Sequence, residues 1–113
     1  ALPISKGWKF NYDDMKKYSD GKQLRDVWEF PLCQGKERIK NDTGRAAHPN
    51  QKPMALISRI VEMASEKGDL ILDPFLGAGT TALAAKQLKR KWIGIESNSD
   101  YIKISKTRMG KKT

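Results

Sequence analysis

The 113 residues are enough for one domain, and 38% hydrophobic content against 31% charged residues limits it to a modest core. A formal net charge of +9 points to a polyanionic partner or an anionic surface, the plain alternative being a lysine-rich surface kept for solubility. The single cysteine, Cys33, excludes an intrachain disulfide and a cysteine zinc cluster. No apolar run approaches transmembrane length and no signal peptide is visible, so a cytoplasmic protein without membrane contact is expected.

In chain order, residues 1–50 form the less regular half. Trp8, Phe10, Tyr12 and Tyr18 alternate with lysines and with Asp13 and Asp14. Such aromatics can stack on bases, but the core of a small lobe is the reading slightly preferred. Met15 to Tyr18 suggests a helical turn closed by Asp20-Gly21, and Gln23 to Phe30 reads as a strand ended by Pro31. Cys33 to Arg38 and Asn41 to Gly44 have the composition of turns and loops. Asn50 is a plausible N-cap with Pro53 in the first turn, and the spacing of Ile57, Ile60, Val61 and Ala64 predicts a helix over Met54 to Ser65. His48 is the only histidine, and nothing near it completes a metal site.

Leu70-Ile71-Leu72 is a short apolar run of the kind a buried parallel strand makes. It ends in Asp73-Pro74-Phe75-Leu76-Gly77-Ala78-Gly79-Thr80-Thr81, and a helix follows with Leu83, Ala84 and Leu88 on one face. Strand, glycine loop and helix make a nucleotide pocket, because glycines admit close backbone approach and a helix start offers unpaired N–H groups. Lys91 to Glu96 is a second apolar run ending in an acid, about 20 residues beyond the loop, where a carboxylate accepts hydrogen bonds from ribose hydroxyls. Ala82 stands where a dinucleotide fingerprint has its third glycine, and no Gly-Lys-Ser/Thr follows as in a P-loop. Asp73 before the turn would repel pyrophosphate and welcome an ammonium group. S-adenosylmethionine, with its amine, sulfonium and ribose, fits that loop better than NAD or ATP. Ser97 to Asp100 resembles a capping box opening a helix from Asp100 to about Met109.

Three spaced motifs then carry a resemblance: His48-Pro49-Asn50-Gln51-Lys52-Pro53, Leu72 to Thr81, and Ile93-Gly94-Ile95-Glu96. Together they resemble the C-terminal part of a bacterial DNA amino-methyltransferase of the permuted "beta" group. Asp26 to Pro31, with Gly35 to Arg38, is similar to the segment upstream of these motifs in adenine-modifying members. The resemblance implies a partial Rossmann-like α/β sandwich with a parallel sheet core and helices on its faces. It implies that residues 1–47 end a target-recognition region and that 48–113 form the S-adenosylmethionine-binding half. The implied cofactor residues are Asn50, Gln51, Lys52, Asp73, Phe75, Gly77, Gly79, Thr80, Thr81 and Glu96. Among them, Lys52 lies near the methionine carboxylate, Asp73 meets the amine and Glu96 holds the ribose.

The family also uses Asp, Asn or Ser before Pro-Pro and an aromatic to accept the attacking base amine. This chain has five prolines and no adjacent pair, so no catalytic residue is assigned and the chain alone is expected to transfer no methyl group. Implied partners are double-stranded DNA and the missing catalytic part, with self-association through unpaired sheet edges also expected. Lys86, Lys89, Arg90, Lys91, Lys36 and Arg38 are the candidate phosphate contacts. A cytosine amine methyltransferase, a non-catalytic nucleic-acid-binding remnant and a small-molecule methyltransferase stay open as alternatives.

Overall fold

The computed structural model describes residues 10–23, 27–31, 37–40, 44 and 51–110. Among them, β1 (Leu70–Asp73) and β2 (Lys91–Gly94) form a parallel pair in which Leu70 faces Lys91 and Asp73 faces Gly94. Parallel neighbours need a crossover, and α3 (Thr80–Gln87) provides it. Its buried residues are Thr80, Ala82, Ala84 and Ala85, small side chains that let the helix lie close to both strands. Leu83 and Leu88 of the expected apolar face are only partly covered.

Helix α2 (Met54–Ala64) flanks α3 on one side and α4 (Ser99–Gly110) flanks it on the other. The span read from periodicity for α2 and the one read from a capping-box resemblance for α4 each hold to within one residue at each end, although the box placed the cap at Ser97. Asn98 caps α4, its Oδ1 accepting from the N–H groups of Asp100 at 2.9 Å and Tyr101 at 3.2 Å. At the start of α2 the carboxylate of Glu37 accepts from Met54 N–H. Asn50, read as that helix's cap, lies outside the described residues, as do His48 and Cys33.

The sheet is covered unevenly. Residues in register share a face, so Leu70 and Leu72 stand beside Ile93, with Ile95 continuing the row. These four side chains remain 58%, 61%, 50% and 55% exposed. Parallel sheets ordinarily bury both faces. The arrangement is therefore part of a Rossmann-like α/β fold, with helices over one face.

The N-terminal segment folds as α1 (Tyr12–Met15) and a 3₁₀ turn (Lys16–Ser19), closed by left-handed Asp20 and Gly21. Asn11 binds it to α2: its Nδ2 donates to the carbonyls of Glu62 at 2.7 Å and Ser65 at 2.9 Å, carbonyls that the helix end leaves unpaired. Lys17 and Tyr18 both donate to the Glu62 carboxylate. The strand expected around Val27 is absent among the described residues 27–31. Trp28 and Phe30 instead lie on the Arg59 guanidinium, at 5.3 and 4.6 Å, with Tyr18 also against it at 4.2 Å. Trp28 and Phe30 thus rest on a cation, and no ladder forms among residues 27–31. No helix among the described residues is long and apolar enough to cross a membrane.

Candidate functional site

The loop leaving β1 is shaped by its own polar groups. Asp73 Oδ1 accepts from Phe75 N–H at 3.0 Å, turning the chain over Pro74. Gly77 and Gly79 take φ of 58° and 86°, conformations that disfavour a side chain. After β2, Ile95 N–H reaches Asp73 O at 2.9 Å and Leu76 N–H reaches Ile95 O at 2.9 Å. That extension of the ladder sets Glu96 beside the glycine loop. Its Oε1 accepts from Gly77 N–H at 2.9 Å and its Oε2 from Asn98 N–H at 2.8 Å. One carboxylate thus holds both the loop and the turn that opens α4.

A cleft of about 390 Å³ lies over this loop. Eight of the ten residues singled out in the sequence line it: Gln51, Lys52, Asp73, Phe75, Gly77, Thr80, Thr81 and Glu96. Asn50 lies outside the described residues. The Phe75 ring is 86% exposed, a large apolar surface at the rim. The first turn of α3 has no side-chain cap, so its N–H groups are left for a ligand or water. The cleft brings together two carboxylates, one ammonium group and one free aromatic face, a set that suits a ligand carrying both charges and hydroxyl groups.

Two of the expected residues also have structural partners. Gly79 does not line the cleft, and a Cβ there would come 2.7 Å from Ser105 Cβ. Its lack of a side chain lets α4 approach the loop from behind. Gln51 is buried and its amide is taken at both ends, Oε1 accepting from Ile39 N–H at 2.9 Å and Nε2 donating to Glu37 O at 2.7 Å. It therefore ties the 37–39 segment to the entrance of α2. Sequence reasoning also missed Arg108, whose Nη1 donates to Ala78 O at 2.8 Å and Thr80 Oγ1 at 3.0 Å. The available signal was the three-residue spacing of Ser105 and Arg108, which sets both on one face of α4.

Among the candidate phosphate contacts, Arg90 is occupied internally. Its guanidinium donates to Ser65 Oγ, Ser65 O and Leu88 O at 2.9, 2.6 and 2.8 Å, joining the end of α2 to the start of β2. Lys86 donates to Met109 O at 2.6 Å, while Lys89 and Lys91 are exposed. Lys36 lies outside the described residues and Arg38 is half-buried.

The family model for N6/N4 DNA methylases matches residues 5–107. The chain belongs to this DNA methylase family. It is 46% identical over 100 residues to the type II methyltransferase M.HinfI of Haemophilus influenzae, covering 88% of this chain and 28% of that protein. It is 44% identical over 102 residues to the type II methyltransferase M2.LlaDCHI of Lactococcus lactis subsp. cremoris, covering 90% and 36%. The chain thus spans about a third of the length of these relatives. The crystal structure of an M1.HpyAVI–SAM complex superposes with a TM-score of 0.65 at 36% identity, over 91% of this chain and 44% of that one. The cytosine-N4-specific PvuII DNA methyltransferase superposes with a TM-score of 0.55 at 38% identity, over 58% and 23%. This DNA methylase family membership supports the α/β assignment independently of the strand count.

Proposed function

We propose that the cleft over the Gly77–Gly79 loop holds S-adenosylmethionine and that the chain is the cofactor-binding portion of a DNA adenine methyltransferase. The observation that carries the reading is the placement of Glu96, with both carboxylate oxygens against the cleft-lining loop and the adjoining turn. The fit is chemical as well as spatial. About 390 Å³ lies within the usual range of ligand pockets. Glu96 accepts from ribose hydroxyls, Asp73 faces the amine, and Lys52 with the start of α3 faces the carboxylate. Phe75 provides an apolar face for the nucleoside. The cofactor, when bound, supplies an electrophilic methyl group. The chain's part is to hold and orient that donor; acceptors for the attacking base amine come from another segment.

The open sheet face of Leu70, Leu72, Ile93 and Ile95 supports a complementary polypeptide as partner, because burying it would remove a continuous apolar surface from water. Beside the edge of β1 that no strand among the described residues pairs, Ile57, Ile60 and Val61 of α2 line a groove of about 400 Å³ with the strand. Duplex DNA is the proposed substrate and a bacterial restriction-modification system the proposed setting. Adenine is favoured by the resemblance of Asp26 to Pro31 and Gly35 to Arg38. The similarity to the PvuII enzyme favours cytosine N4 as the second reading. The test is methyl transfer to duplex DNA by this chain, alone and mixed with the complementary segment of a relative, followed by identification of the methylated base. Activity in the mixture alone, yielding N6-methyladenine, supports the reading. Turnover by the 113 residues alone overturns the division of labour, and N4-methylcytosine overturns the base assignment.

A further inference from the structure

The DNA methylase resemblance assigns no role to α4 beyond packing, yet its Arg108 reaches the cleft-lining elements from behind. Arg108 Nη1 donates to Ala78 O at 2.8 Å, which turns that loop carbonyl toward α4. The same nitrogen donates to Thr80 Oγ1 at 3.0 Å. A threonine hydroxyl has one proton to give and lone pairs to receive. With its oxygen accepting from a guanidinium, the Thr80 hydroxyl is fixed as a donor. Its proton finds no acceptor among the described residues, and Thr80 lines the cleft. The guanidinium stays charged throughout the accessible pH range, and a hydrogen bond received by an oxygen strengthens the one it gives. The uncapped first turn of α3 and the Lys52 ammonium group share that cleft.

We propose that Arg108 is a positioning residue that orients the Thr80 hydroxyl to donate to the carboxylate of an amino-acid-bearing ligand. The inference rests on the cofactor reading and names the part of the ligand recognised at this end of the cleft. Arg108 does not touch the ligand; it acts through Thr80 and through the Ala78 carbonyl that it turns away. Selectivity for a carboxylate, begun by Lys52 and the start of α3, is thereby reinforced from α4, outside the glycine loop itself.

The experiment titrates the full chain with S-adenosylmethionine and with its decarboxylated analogue. The wild-type chain is expected to prefer the carboxylated ligand. Arg108→Met should weaken S-adenosylmethionine by roughly tenfold, as when a hydrogen bond to a charged group is lost, and leave the analogue within about twofold. Thr80→Val, which keeps the side-chain shape, should show the same selective loss, and the double variant should lose no more than either single one. Equal losses on both ligands, additive losses, or an unchanged preference in Thr80→Val overturn the inference. Equal wild-type binding of the two ligands overturns it and leaves the cofactor reading standing. Binding of neither ligand removes both.

Discussion

Gly79→Ala offers a test of how the loop and α4 depend on each other. Gly79 sits at φ 86°, a conformation that costs an L-residue about 1–2 kcal/mol. Its new Cβ would lie 2.7 Å from Ser105 Cβ and 3.1 Å from Ser105 Cα, and overpacking of this kind costs about 1–3 kcal/mol. The total of about 2–5 kcal/mol is a large share of the 5–15 kcal/mol typical of a domain. Urea unfolding followed by circular dichroism measures it. Ser105→Gly in the same background removes the nearest atom, at a helix-interior cost of about 1 kcal/mol. Crowding against the backbone at position 105 persists, so rescue is partial, and the two substitutions should be coupled by at least about 1 kcal/mol. Strict additivity, or a Gly79→Ala cost below about 0.5 kcal/mol, would refute the close-packing role.

The Glu62 contact gives the fold an acid-sensitive joint. Burial works against the carboxylate, but hydrogen bonds from Lys17 and Tyr18 outweigh it and hold the pKa below the ordinary 4.5. A depressed carboxylate contributes stability above its unfolded pKa and loses it as pH falls through the folded value. Glu62→Gln should therefore flatten the dependence of the urea midpoint on pH below about 4.5, and an unchanged acid limb would contradict that role. Arg90→Met should lower thermal stability, because it strips donors from Ser65 and Leu88, and leave DNA affinity unaltered. The exposed pair Lys89 and Lys91 should behave oppositely: changing both to glutamine should shallow the salt dependence of duplex binding with no change in melting temperature. Binding that ignores salt in the wild-type chain would rule out the basic-surface argument.

The parts legible in the sequence were those whose chemistry is local. Asp73 to Thr81 declares a strand, a turn and a helix start within nine residues, and β-strand spacing carries Glu96 to the same place. The span of α2 followed from apolar periodicity and that of α4 from a capping-box pattern, although Asn98 makes the cap where the pattern pointed to Ser97. What stayed hidden depends on distant partners. Nothing local marks Arg90 as an internal clamp, since its acceptors lie on Ser65, 25 positions away, and on a backbone carbonyl. Gly79 reads as a ligand-approach glycine until Ser105 is found behind it. Trp28 and Phe30 alternate as a strand would, and only Arg59 explains why no strand is required.

Calorimetric titration of the 113-residue chain with S-adenosylmethionine tests the cofactor site itself. One site is expected, with a dissociation constant below about 1 mM that Glu96→Ala weakens at least about tenfold. Absence of binding at millimolar cofactor, or equal affinity in Glu96→Ala, would contradict the assignment of this cleft.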